Sequence, residues 1–567
     1  MKIFVAQINP VVGDLEGNAR KILNISSKAF TENADLLITP ELSLWGYPPK
    51  DLLLKNNLIQ KQGQILDDLS SEISKNYGNL SLILGIAEPA KDCFFPNLYN
   101  SMALLENGKW ISIARKTILP TYEVFDERRY FKSEQAVSVL KKEIKGKTWK
   151  IGFTICEDLW VNTNIDGRGI HKKNPIIDLK KEKIDLLINL SASPFTFNKI
   201  EERYKVASSA VDHLKTPLIY LNQVGGNDDL IFDGNSFIFN KEGRLVKKLK
   251  SFKEDFYCWD IEDQKLEFNK YEKPSEVESI FNALVLGVKD YSRKCGFKTA
   301  LIGLSGGIDS ALVTVIATAA LGKENVYCIA MPSQWNSPNS RLDAKELANN
   351  LNVSFETMPI NDLLESFENT FKDNLQFKLV GVTNENIQSR IRGTILMALA
   401  NHNNHLLLST GNKSELAVGY CTLYGDMNGG LSVIGDLYKT NVFKLCNWLD
   451  SQLSDNSKKA WDLPTNKKII GERILKKPPS AELGPNQLDT DSLPPYSILD
   501  IILKGIIEDK KDLNELQEEG HKLDLIIKII SLIKNSEFKR KQAPPILKLS
   551  SQSLGTDWKL PIAISKR

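Results

Sequence analysis

The order of apolar and polar positions divides the chain into two regions. From Met1 to about Ile261, short apolar runs of strand length alternate with polar, helix-compatible stretches. The runs predicted to be strands are 3–8, 35–38, 80–86, 101–105, 111–114, 150–154, 185–189 and 218–222. Several are apolar on both faces, as strands buried in a layered sheet are. Gly108 and Gly243 lie between such runs and indicate hairpins, so we expect an α/β sandwich with some antiparallel pairing.

The second region alternates strands with longer helices. Its predicted elements are a helix over 277–295, a strand over 299–304, a helix over 310–321, a strand over 325–330, a helix over 340–350 and a strand over 406–409. This alternation predicts a doubly wound parallel sheet, with sites at the carboxyl ends of its strands. The polar stretch 263–275 indicates a linker. We therefore predict one domain over 1–262, the linker over 263–275 and a second domain over 276–567.

Length and composition narrow the class of protein. A chain of 567 residues exceeds what one hydrophobic core supports, which favours two domains. The formal net charge of +3 is small for this length, so we expect no nucleic-acid partner. Neither a signal peptide nor a membrane-spanning apolar stretch is visible in the sequence, so we expect no membrane association. Seven scattered cysteines without CxxC pairs argue against zinc or disulfides and favour a cytoplasmic location.

The most specific motif lies between a predicted strand and a predicted helix of the second region. It reads Ser305-Gly306-Gly307-Ile-Asp309-Ser310. The two glycines permit a backbone nest of N–H groups that binds an anion at a helix N-terminus. The two serines can add hydrogen bonds, and Asp309 can hold Mg²⁺ against phosphate oxygens. The alternative is a structural Gly-Gly turn capped by serine, which the combination of six residues disfavours. The loop has no Walker-type lysine.

This motif resembles the pyrophosphate loop of the N-type ATP pyrophosphatases, which cleave ATP to AMP and pyrophosphate. The resemblance implies a fold like that of the adenine nucleotide alpha hydrolases, with Met331 and Thr410 as further ATP-binding residues. It also implies Glu415 as the second Mg²⁺ ligand. Taken alone, Met331 would fit a core position, and Glu415 would fit the first turn of a helix.

Further segments resemble the synthetase domain of NAD⁺ synthetases. They are 385–388, 410–420, 423–427, 429–430, 436–440, 478–483, 491–496 and 539–545. The resemblance implies that ATP adenylates the carboxylate of nicotinic acid adenine dinucleotide and that ammonia then displaces AMP to give NAD⁺. It implies Lys439 as a phosphate ligand, with Arg390 and Lys541 as further candidates for phosphate or acceptor binding. The alternative for each cation is a solvated surface charge.

The first region carries a candidate source of ammonia. Glu41, Lys116 and Cys156 each follow a strand-like run. A thiol with an ordinary pKa of about 8.5 needs a base and a positive neighbour to act as a nucleophile at neutral pH. Glu41 is suited to be the base and Lys116 to stabilise an oxyanion. Individually, the three residues would more often be an inert core thiol, a helix start and a solvated lysine.

Together these three residues resemble the Glu–Lys–Cys set of the nitrilase superfamily, and 123–131 resembles the glutaminase domain of glutamine-dependent NAD⁺ synthetases. The resemblance implies an α-β-β-α nitrilase-like sandwich. It implies glutamine binding by Tyr122, Glu127, Ser193 and Lys199. Residues 161–183 form a longer stretch than this resemblance predicts, and we expect a surface insertion there.

The two resemblances cover nearly the whole chain. They imply glutamine, nicotinic acid adenine dinucleotide and ATP as substrates and Mg²⁺ as the metal. They also imply a homo-oligomer paired through the synthetase domains, at least a dimer, with an octamer as the larger alternative. Two other interpretations stay open. One is an ATP-dependent amidation or thiolation of another acceptor, such as a tRNA base, and the other is a non-catalytic nucleotide sensor. The intact Glu41, Lys116, Cys156, Asp309 and Glu415 speak against the sensor.

Overall fold

The computed structural model describes residues 1–91, 95–134, 136–161, 174–262, 275–465 and 467–565. The chain divides into two compact units, Met1–Asn227 with Ile231–Lys273 and Asp228–Leu230 with Pro274–Arg567. The predicted linker lies outside the described residues except for Ser275, whose side chain caps the first helix of the second unit. Within the described ranges, no helix is both long and apolar enough to cross a membrane.

In the residues that the structure describes, the first unit contains two six-stranded sheets, a two-stranded ribbon and four α-helices. Its strands are β1 (Lys2–Gln7), β2 (Leu36–Ile38), β3 (Ser81–Pro89), β4 (Leu98–Glu106), β5 (Lys109–Arg115), β6 (Val139–Ile144), β7 (Lys147–Ile155), β8 (Leu186–Ser191), β9 (Leu218–Asn222), β10 (Val224–Asn227), β11 (Leu230–Asp233), β12 (Phe237–Phe239), β13 (Leu245–Lys248) and β14 (Asp255–Asp260). Its helices are α1 (Leu15–Thr31), α2 (Asn56–Tyr77), α3 (Pro175–Glu182) and α4 (Lys199–Leu214).

The two large sheets pack face to face. Their strand orders are β14-β1-β2-β3-β4-β5 and β13-β12-β9-β8-β7-β6. Side chains from both inner faces, such as Ile3 and Val5 from one sheet and Ile151 and Ile188 from the other, form one fully buried core. Helices α1 and α2 pack on the first sheet and α3 and α4 on the second. The predicted α-β-β-α sandwich is therefore confirmed.

The pairing within each sheet is mixed, as the sequence predicts. Strands β1, β2 and β3 are parallel, and so are β7, β8 and β9, whereas the flanking pairs are antiparallel. Gly108 and Gly243 have φ of +74° and +73° in the hairpins β4–β5 and β12–β13, a conformation that glycine adopts without steric cost. Both predicted hairpins are confirmed.

The prediction of a surface insertion over 161–183 is wrong for its second half. Helix α3 begins after Asn174, whose side chain accepts hydrogen bonds from the N–H groups of Ile176 and Ile177. Ile176 and Leu179 are buried against the second sheet, so this part belongs to the core of the unit. An apolar spacing of three residues in a short helix is easily overlooked in a lysine-rich stretch. Residues 162–173 lie outside the described residues.

The second unit contains one five-stranded sheet and thirteen α-helices in its described part. Its strands are β15 (Ala300–Gly303), β16 (Val326–Ala330), β17 (Ser354–Thr357), β18 (Leu406–Ser409) and β19 (Leu431–Ser432). Its helices are α5 (Glu276–Lys294), α6 (Ile308–Leu321), α7 (Pro338–Leu351), α8 (Asn361–Leu375), α9 (Val382–Asn403), α10 (Lys413–Val418), α11 (Lys439–Leu449), α12 (Asp455–Ala460), α13 (Glu472–Lys476), α14 (Tyr496–Ile507), α15 (Leu513–Glu518), α16 (Leu523–Asn535) and α17 (Glu537–Arg540).

The sheet order of the second unit places a crevice at β15. The order is β17-β16-β15-β18-β19, and all neighbouring strands are parallel. The chain winds from β15 through β16 to β17 on one side and then crosses to β18 on the other. Ligands of such sheets bind at this reversal, beyond the carboxyl ends of the strands. The predicted doubly wound parallel sheet is confirmed, and its crevice lies where the sequence predicts the pyrophosphate loop.

Candidate active sites

Cys156 lies at a sharp turn directly after β7. The turn is one 3₁₀ segment, Cys156–Leu159, and Cys156 has φ of +47°. This left-handed conformation costs a non-glycine residue of order 1–3 kcal/mol, so the surrounding structure must hold it. Asp158 contributes to this, because one of its carboxylate oxygens accepts a hydrogen bond from the N–H of Ile155 at 3.1 Å. The thiol is buried.

Lys116, at the end of β5, lies between two buried carboxylates. Its Nζ donates to Oε1 of Glu41 and to Oε1 of Glu127, each at 2.8 Å. Glu41 also accepts hydrogen bonds from Nδ2 of Asn100 at 2.8 Å and from the N–H of Ala192 at 2.7 Å. The orientation of Glu41 is thus fixed by three donors. A buried ammonium with two carboxylate partners is strongly held in its charged form.

The electrostatics of this cluster favour a protonated thiol at rest. Burial alone would lower the pKa of Lys116, but Glu127 and Glu41 hold it well above its usual value. Burial raises the pKa of Glu127 to about 7, although Lys116 opposes the shift. Burial and the charge of Glu41 raise the pKa of the Cys156 thiol well above its usual value, with Lys116 acting in the opposite direction. The thiol therefore needs to give up its proton during attack rather than before it.

Two further side chains, Tyr47 and Asp158, belong to this cluster, although no sequence motif described above includes them as candidates. The hydroxyl of Tyr47 donates to Oε1 of Glu127 at 2.8 Å. Asp158 accepts hydrogen bonds from the N–H groups of Thr117 at 3.0 Å and Ile118 at 2.7 Å, the two residues that follow Lys116. One carboxylate thus joins the turn of Cys156 to the loop of Lys116. Because Asp158 is only two residues from Cys156, its contribution to the site could have been predicted from the sequence.

The predicted glutamine-binding residues lie in different surroundings. The hydroxyl of Tyr122 donates at 2.7 Å to Oε2 of Glu157, the residue after Cys156. The loop of Ser193 is held by the buried guanidinium of Arg203, whose Nη2 donates to the Ser193 carbonyl at 2.8 Å and whose Nε donates to the Ser193 hydroxyl at 3.2 Å. Tyr122 is therefore placed beside the turn of Cys156, and Ser193 is fixed by a residue of α4.

Lys199 is the first residue of α4, and its ammonium is paired within that helix. Its Nζ lies 2.8 Å from Oε2 of Glu202 and 4.5 Å from the ring centre of Trp160. These contacts hold the side chain along the helix surface. A role for Lys199 in binding a carboxylate stays a prediction.

In the second unit, the predicted pyrophosphate loop joins β15 to α6. Gly306 has φ of +80°, and a Cβ at this position would come within 2.1 Å of the carbonyl oxygen of Ser340, so that only glycine fits. The hydroxyls of Ser305 and Ser310 are 3.1 Å apart. The N–H of Gly307 donates to the Ser305 hydroxyl at 3.2 Å. The loop therefore presents backbone and hydroxyl donors at the N-terminus of a buried helix, which suits an anion.

Lys439 links the two predicted metal ligands. Its Nζ lies 2.6 Å from Oδ2 of Asp309 and 3.0 Å from Oε1 of Glu415. Burial alone would lower the pKa of Lys439, but Asp309 and Glu415 raise it above its usual value. Burial raises the pKa of Glu415 to about 7, against the effect of Lys439. The two carboxylates, which follow the strands β15 and β18, therefore both contact the ammonium group of Lys439.

The donor set at this point fits Mg²⁺ in its chemistry. Mg²⁺ is usually bound by one or two carboxylates together with phosphate oxygens and water. Asp309 and Glu415 supply two such carboxylates around one cation position. Among the residues described, no group of three or more His, Cys, Asp or Glu side chains has the arrangement of a complete metal site. The remaining ligands would have to come from a bound nucleotide and water.

A cavity of about 300 Å³ surrounds this point. The predicted residues that line it are Ser305, Gly307, Asp309, Ser310, Met331, Thr410, Glu415 and Lys439. Arg390 and Lys541 are not among its lining residues. The Nε of Arg390 donates to the Leu423 carbonyl at 3.2 Å, and Nζ of the half-exposed Lys541 lies 3.3 Å from Glu537. The structure thus brings the ATP-loop residues together and leaves these two cations outside the cavity.

Comparisons with known proteins cover both units. The carbon-nitrogen hydrolase family model matches residues 2–267, and the NAD synthase family model matches residues 280–543. A glutamine-dependent NAD(+) synthetase of Synechocystis sp. is 45% identical over 99% of this chain and 98% of its own length. A protein of the same name from Thermotoga maritima is 38% identical over 99% of this chain and 98% of its own length.

Solved structures agree with these relatives. The structure of a glutamine-dependent NAD+ synthetase from Acinetobacter baumannii in complex with ADP matches 99% of this chain and 98% of its own, with 34% identity and a TM-score of 0.75. A protein of the same name from Cytophaga hutchinsonii, 21% identical, shares the fold over the whole chain with a TM-score of 0.79. Each of these two structures thus matches nearly the whole length of this chain.

Proposed function

The chain belongs to the family of glutamine-dependent NAD(+) synthetases, and from this premise we propose which residues carry out each half of the reaction. The enzyme is an ATP-dependent ligase with a glutaminase unit and an NAD synthase unit. Ammonia from glutamine is used to convert nicotinic acid adenine dinucleotide to NAD⁺. The observation that carries our assignment is the buried Lys116, paired with Glu41 and Glu127, beside Cys156.

In the glutaminase unit, Cys156 is the nucleophile and Glu41 its base. As the sulfur attacks the side-chain amide of glutamine, the thiol proton passes to Glu41, which is the order that the raised pKa of Cys156 favours. Lys116 stabilises the oxyanion that forms. The C–N bond then breaks, ammonia leaves with the proton held by Glu41, and a γ-glutamyl thioester remains. Glu41 next takes a proton from water as the water oxygen attacks the thioester carbon. The C–S bond then breaks, glutamate leaves, and Glu41 returns the proton to the sulfur of Cys156.

Recognition of glutamine falls to the side chains around this turn. Tyr122 and Ser193 bind the substrate by hydrogen bonds, and Lys199 faces its carboxylate. Glu127 orients Lys116 and contributes to substrate placement. Glu157 adds a buried carboxylate next to the Tyr122 hydroxyl, which suits the α-ammonium group of glutamine.

In the synthetase unit, ATP binds with its phosphates on the loop after β15. Ser305, Ser310 and the backbone of Gly306 and Gly307 donate to the pyrophosphate, and Lys439 neutralises its charge as it leaves. The adenosine lies toward Met331 and Thr410, which line the same cavity. The carboxylate of the acceptor dinucleotide attacks the α-phosphate, so that an acyl adenylate forms and pyrophosphate departs. Ammonia then adds to the acyl carbon, loses a proton and displaces AMP.

We assign Asp309 and Glu415 as the residues that would hold Mg²⁺. When bound, Mg²⁺ would neutralise phosphate charge during the transfer. Arg390 and Lys541 are our candidates for the phosphates of the acceptor dinucleotide, at positions outside the cavity that the ATP-loop residues line. We also propose that the enzyme works in the cytoplasm as a homo-oligomer paired through its synthetase units, at least a dimer. The six cysteines that the structure describes all carry free thiols, which fits a reducing compartment.

The decisive experiment compares the wild type with Cys156→Ala. NAD⁺ formation from nicotinic acid adenine dinucleotide, ATP and magnesium is measured with glutamine or with ammonium as the nitrogen source. We expect the variant to lose glutamine-driven synthesis by at least about 10³-fold while ammonium-driven synthesis stays within about twofold. Cys446→Ala, which removes another buried thiol from the second unit, is the matched control and should keep both activities.

Two results would contradict the assignment. Glutamine-driven synthesis that survives in Cys156→Ala would exclude Cys156 as the nucleophile. A wild type that forms no NAD⁺ from either nitrogen source would show that the acceptor is a different carboxylic acid, and AMP release would then be screened with other acceptors.

A further inference from the structure

The segment after α13 lines the ATP cavity but has no role in the assignment above. Residues Lys477–Leu483 follow the end of α13, and all seven of them line the cavity. The preceding residue, Lys476, is mostly exposed and pairs with Glu472 one helical turn earlier. Two adjacent lysines of the same sequence therefore have different surroundings, and only the second faces the cavity.

Lys477 is held at the N-terminus of α7 by Glu482. Its Nζ lies 2.9 Å from Oε1 of Glu482 and donates to the hydroxyl of Ser340 at 2.5 Å. Glu482 also accepts hydrogen bonds from the Ser340 hydroxyl at 2.6 Å and from Nδ2 of Asn336 at 2.9 Å. Burial alone would raise the pKa of Glu482, but hydrogen bonds from Ser340, Asn336 and Lys477 hold it below its usual value. The carboxylate of Glu482 is therefore held in its charged form beside Nζ of Lys477.

This ion pair lies next to the pyrophosphate loop. Ser340, which contacts both Lys477 and Glu482, is the residue whose carbonyl packs against Gly306. The loop itself contains no cation, since no lysine follows its second glycine. The β- and γ-phosphates of ATP carry most of its negative charge and become the leaving group, so that a nearby cation would stabilise both the bound state and the transition state.

Three other basic side chains line the cavity, and each has a partner of its own. Nη2 of Arg341 donates to the Ser333 carbonyl at 3.5 Å. Lys439 lies between Asp309 and Glu415. The guanidinium of Arg392 donates through Nε to the Met331 carbonyl at 2.9 Å, on the side of the cavity where we place adenosine. Lys477 differs from Lys439, because its anionic partner, Glu482, belongs to a short irregular segment, whereas Asp309 and Glu415 belong to helices of the sheet domain.

We propose that Lys477 is a ligand of the pyrophosphate portion of ATP and that Glu482 holds it against α7 until the nucleotide enters. The proposal rests on the ATP site assigned above. On binding, phosphate oxygens replace the Glu482 carboxylate as the partner of Nζ, and Glu482 keeps its hydrogen bonds to Asn336 and Ser340. Glu482 has φ of +49°, a strained conformation for a residue with a side chain, which indicates that these contacts hold the segment in place.

The test measures binding of inorganic pyrophosphate, with magnesium, to the whole chain by calorimetry. Lys477→Met should raise the Kd for pyrophosphate about 10- to 100-fold, because a charge-assisted hydrogen bond is lost. Lys476→Met, the matched control, should leave the Kd within about twofold. Lys477→Arg should recover most of the affinity, which a merely structural role of the methylene chain would not explain. Equal Kd values for Lys477→Met and Lys476→Met would overturn the proposal.

Glu482→Gln tests the masking role separately. The amide keeps a hydrogen-bonding side chain of the same size but removes the negative charge that competes with phosphate, so the Kd for pyrophosphate should fall about two- to tenfold. A Kd that rises instead would exclude masking by Glu482.

Ammonium-driven NAD⁺ synthesis separates failure of this proposal from failure of the proposed function. An active wild type, with an ATP KM that Lys477→Met does not raise, would reject Lys477 alone. A wild type without synthesis would reject the assignment of the whole site, and with it this inference. In Lys477→Met we expect the KM for ATP to rise about 10-fold or more while the KM for ammonium stays within about twofold. Glutamine hydrolysis by the first unit serves as the check that the variant chain is folded.

Discussion

At the scale of single residues, the buried cluster around Cys156 contains two carboxylates, Glu41 and Glu127. A nucleophile, a base and a cation would require only one. Lys116 contacts both Glu41 and Glu127, and Tyr47 donates to the same oxygen of Glu127. In our assignment Glu41 takes the proton of Cys156, so we expect Glu127 to supply the lasting counter-charge for Lys116. Because burial raises the pKa of Glu127 to about 7, this counter-charge is itself sensitive to pH.

This arrangement predicts an acid limb in the rate of glutamine hydrolysis. As the pH falls through about 7, Glu127 takes up a proton and no longer holds the ammonium of Lys116 by charge, so kcat should fall. Glu127→Gln should lower kcat about 10- to 100-fold and should remove this limb, because the amide does not titrate. The measurement is ammonia release between about pH 5.5 and 8.5. Ammonium-driven synthesis by the same variant is the control, and an unchanged acid limb would contradict the assignment.

Asp158 provides a second prediction at this scale. Its buried carboxylate accepts from the N–H groups of Thr117, Ile118 and Ile155, so it ties the loop that follows Lys116 to the turn of Cys156. Asp158→Asn replaces one acceptor by a donor, which should cost about 1–3 kcal/mol of unfolding free energy.

The variant should lose glutamine-driven synthesis about 10²-fold or more while ammonium-driven synthesis continues. Asp178→Asn, an exposed carboxylate of α3, is the control and should change neither rate. A variant that loses stability but hydrolyses glutamine at the wild-type rate would show that Asp158 supports the fold alone.

A site residue can be predicted from the sequence when the pattern that marks it lies in the neighbouring residues. Glu41, Lys116 and Cys156 each come directly or shortly after a strand, and this local pattern places all three at the same edge of the sandwich. The contact of Asp158 with the loop of Lys116 requires β5 and β7 to lie in facing sheets, a long-range relation that periodicity does not encode. The pairing of Lys477 with Glu482 is hidden for a similar reason, since Ser340 joins them from more than a hundred positions away.

At the scale of elements, the ATP site depends on the first turns of two helices. The N–H of Lys439, at the start of α11, donates to the hydroxyl of Ser414 in α10 at 2.9 Å. Asp500 of α14 then accepts from the Ser414 hydroxyl at 2.6 Å and from the N–H of Thr440 at 2.8 Å. One carboxylate therefore ties together the helix ends that carry Glu415 and Lys439.

We predict that Asp500→Ala weakens ATP use more than it weakens the fold. The substitution leaves the Ser414 hydroxyl and the Thr440 N–H without their acceptor, at a cost of about 1–3 kcal/mol of unfolding free energy. The KM for ATP in ammonium-driven synthesis should rise about 10-fold. Asp512→Ala removes the exposed N-cap of α15 and is the control: it should cost about 1 kcal/mol and leave the KM unchanged. Equal KM values for the two variants would argue against a positioning role.

The predicted elements agree with the structure where an apolar run is long. The helix and strands around the pyrophosphate loop could be placed within a few residues, because each is bounded by glycine or by a polar turn. The two-residue strand β19 and the short helices α10 and α13 carry too few apolar positions to show a period. Helix α3 is not predicted either, because it has only two buried side chains and lies in a lysine-rich stretch.

At the scale of the whole molecule, one chain combines two reactions with different chemical requirements. In our assignment the first unit acts through a thiol, a carboxylate and an ammonium group, which carry out nucleophilic attack and proton transfer at a neutral amide. In our assignment the second unit displaces pyrophosphate, which carries several negative charges. Lys439 supplies one positive charge, which Asp309 and Glu415 already oppose, so it cannot neutralise them alone. The requirement for Mg²⁺ is therefore expected in only one of the two units.

Removal of divalent metal should thus separate the two activities. Treatment with EDTA should abolish NAD⁺ synthesis from both glutamine and ammonium, because the charge of the departing pyrophosphate is no longer neutralised. Glutamine hydrolysis, followed as glutamate release, should continue at a rate within about threefold of the untreated enzyme. Asp309→Asn should behave like EDTA treatment even in excess magnesium, whereas Asp362→Asn, an exposed carboxylate of α8, should not. If EDTA stopped glutamate release as well, and magnesium restored it, the glutaminase chemistry proposed for Cys156, Glu41 and Lys116 would be incomplete.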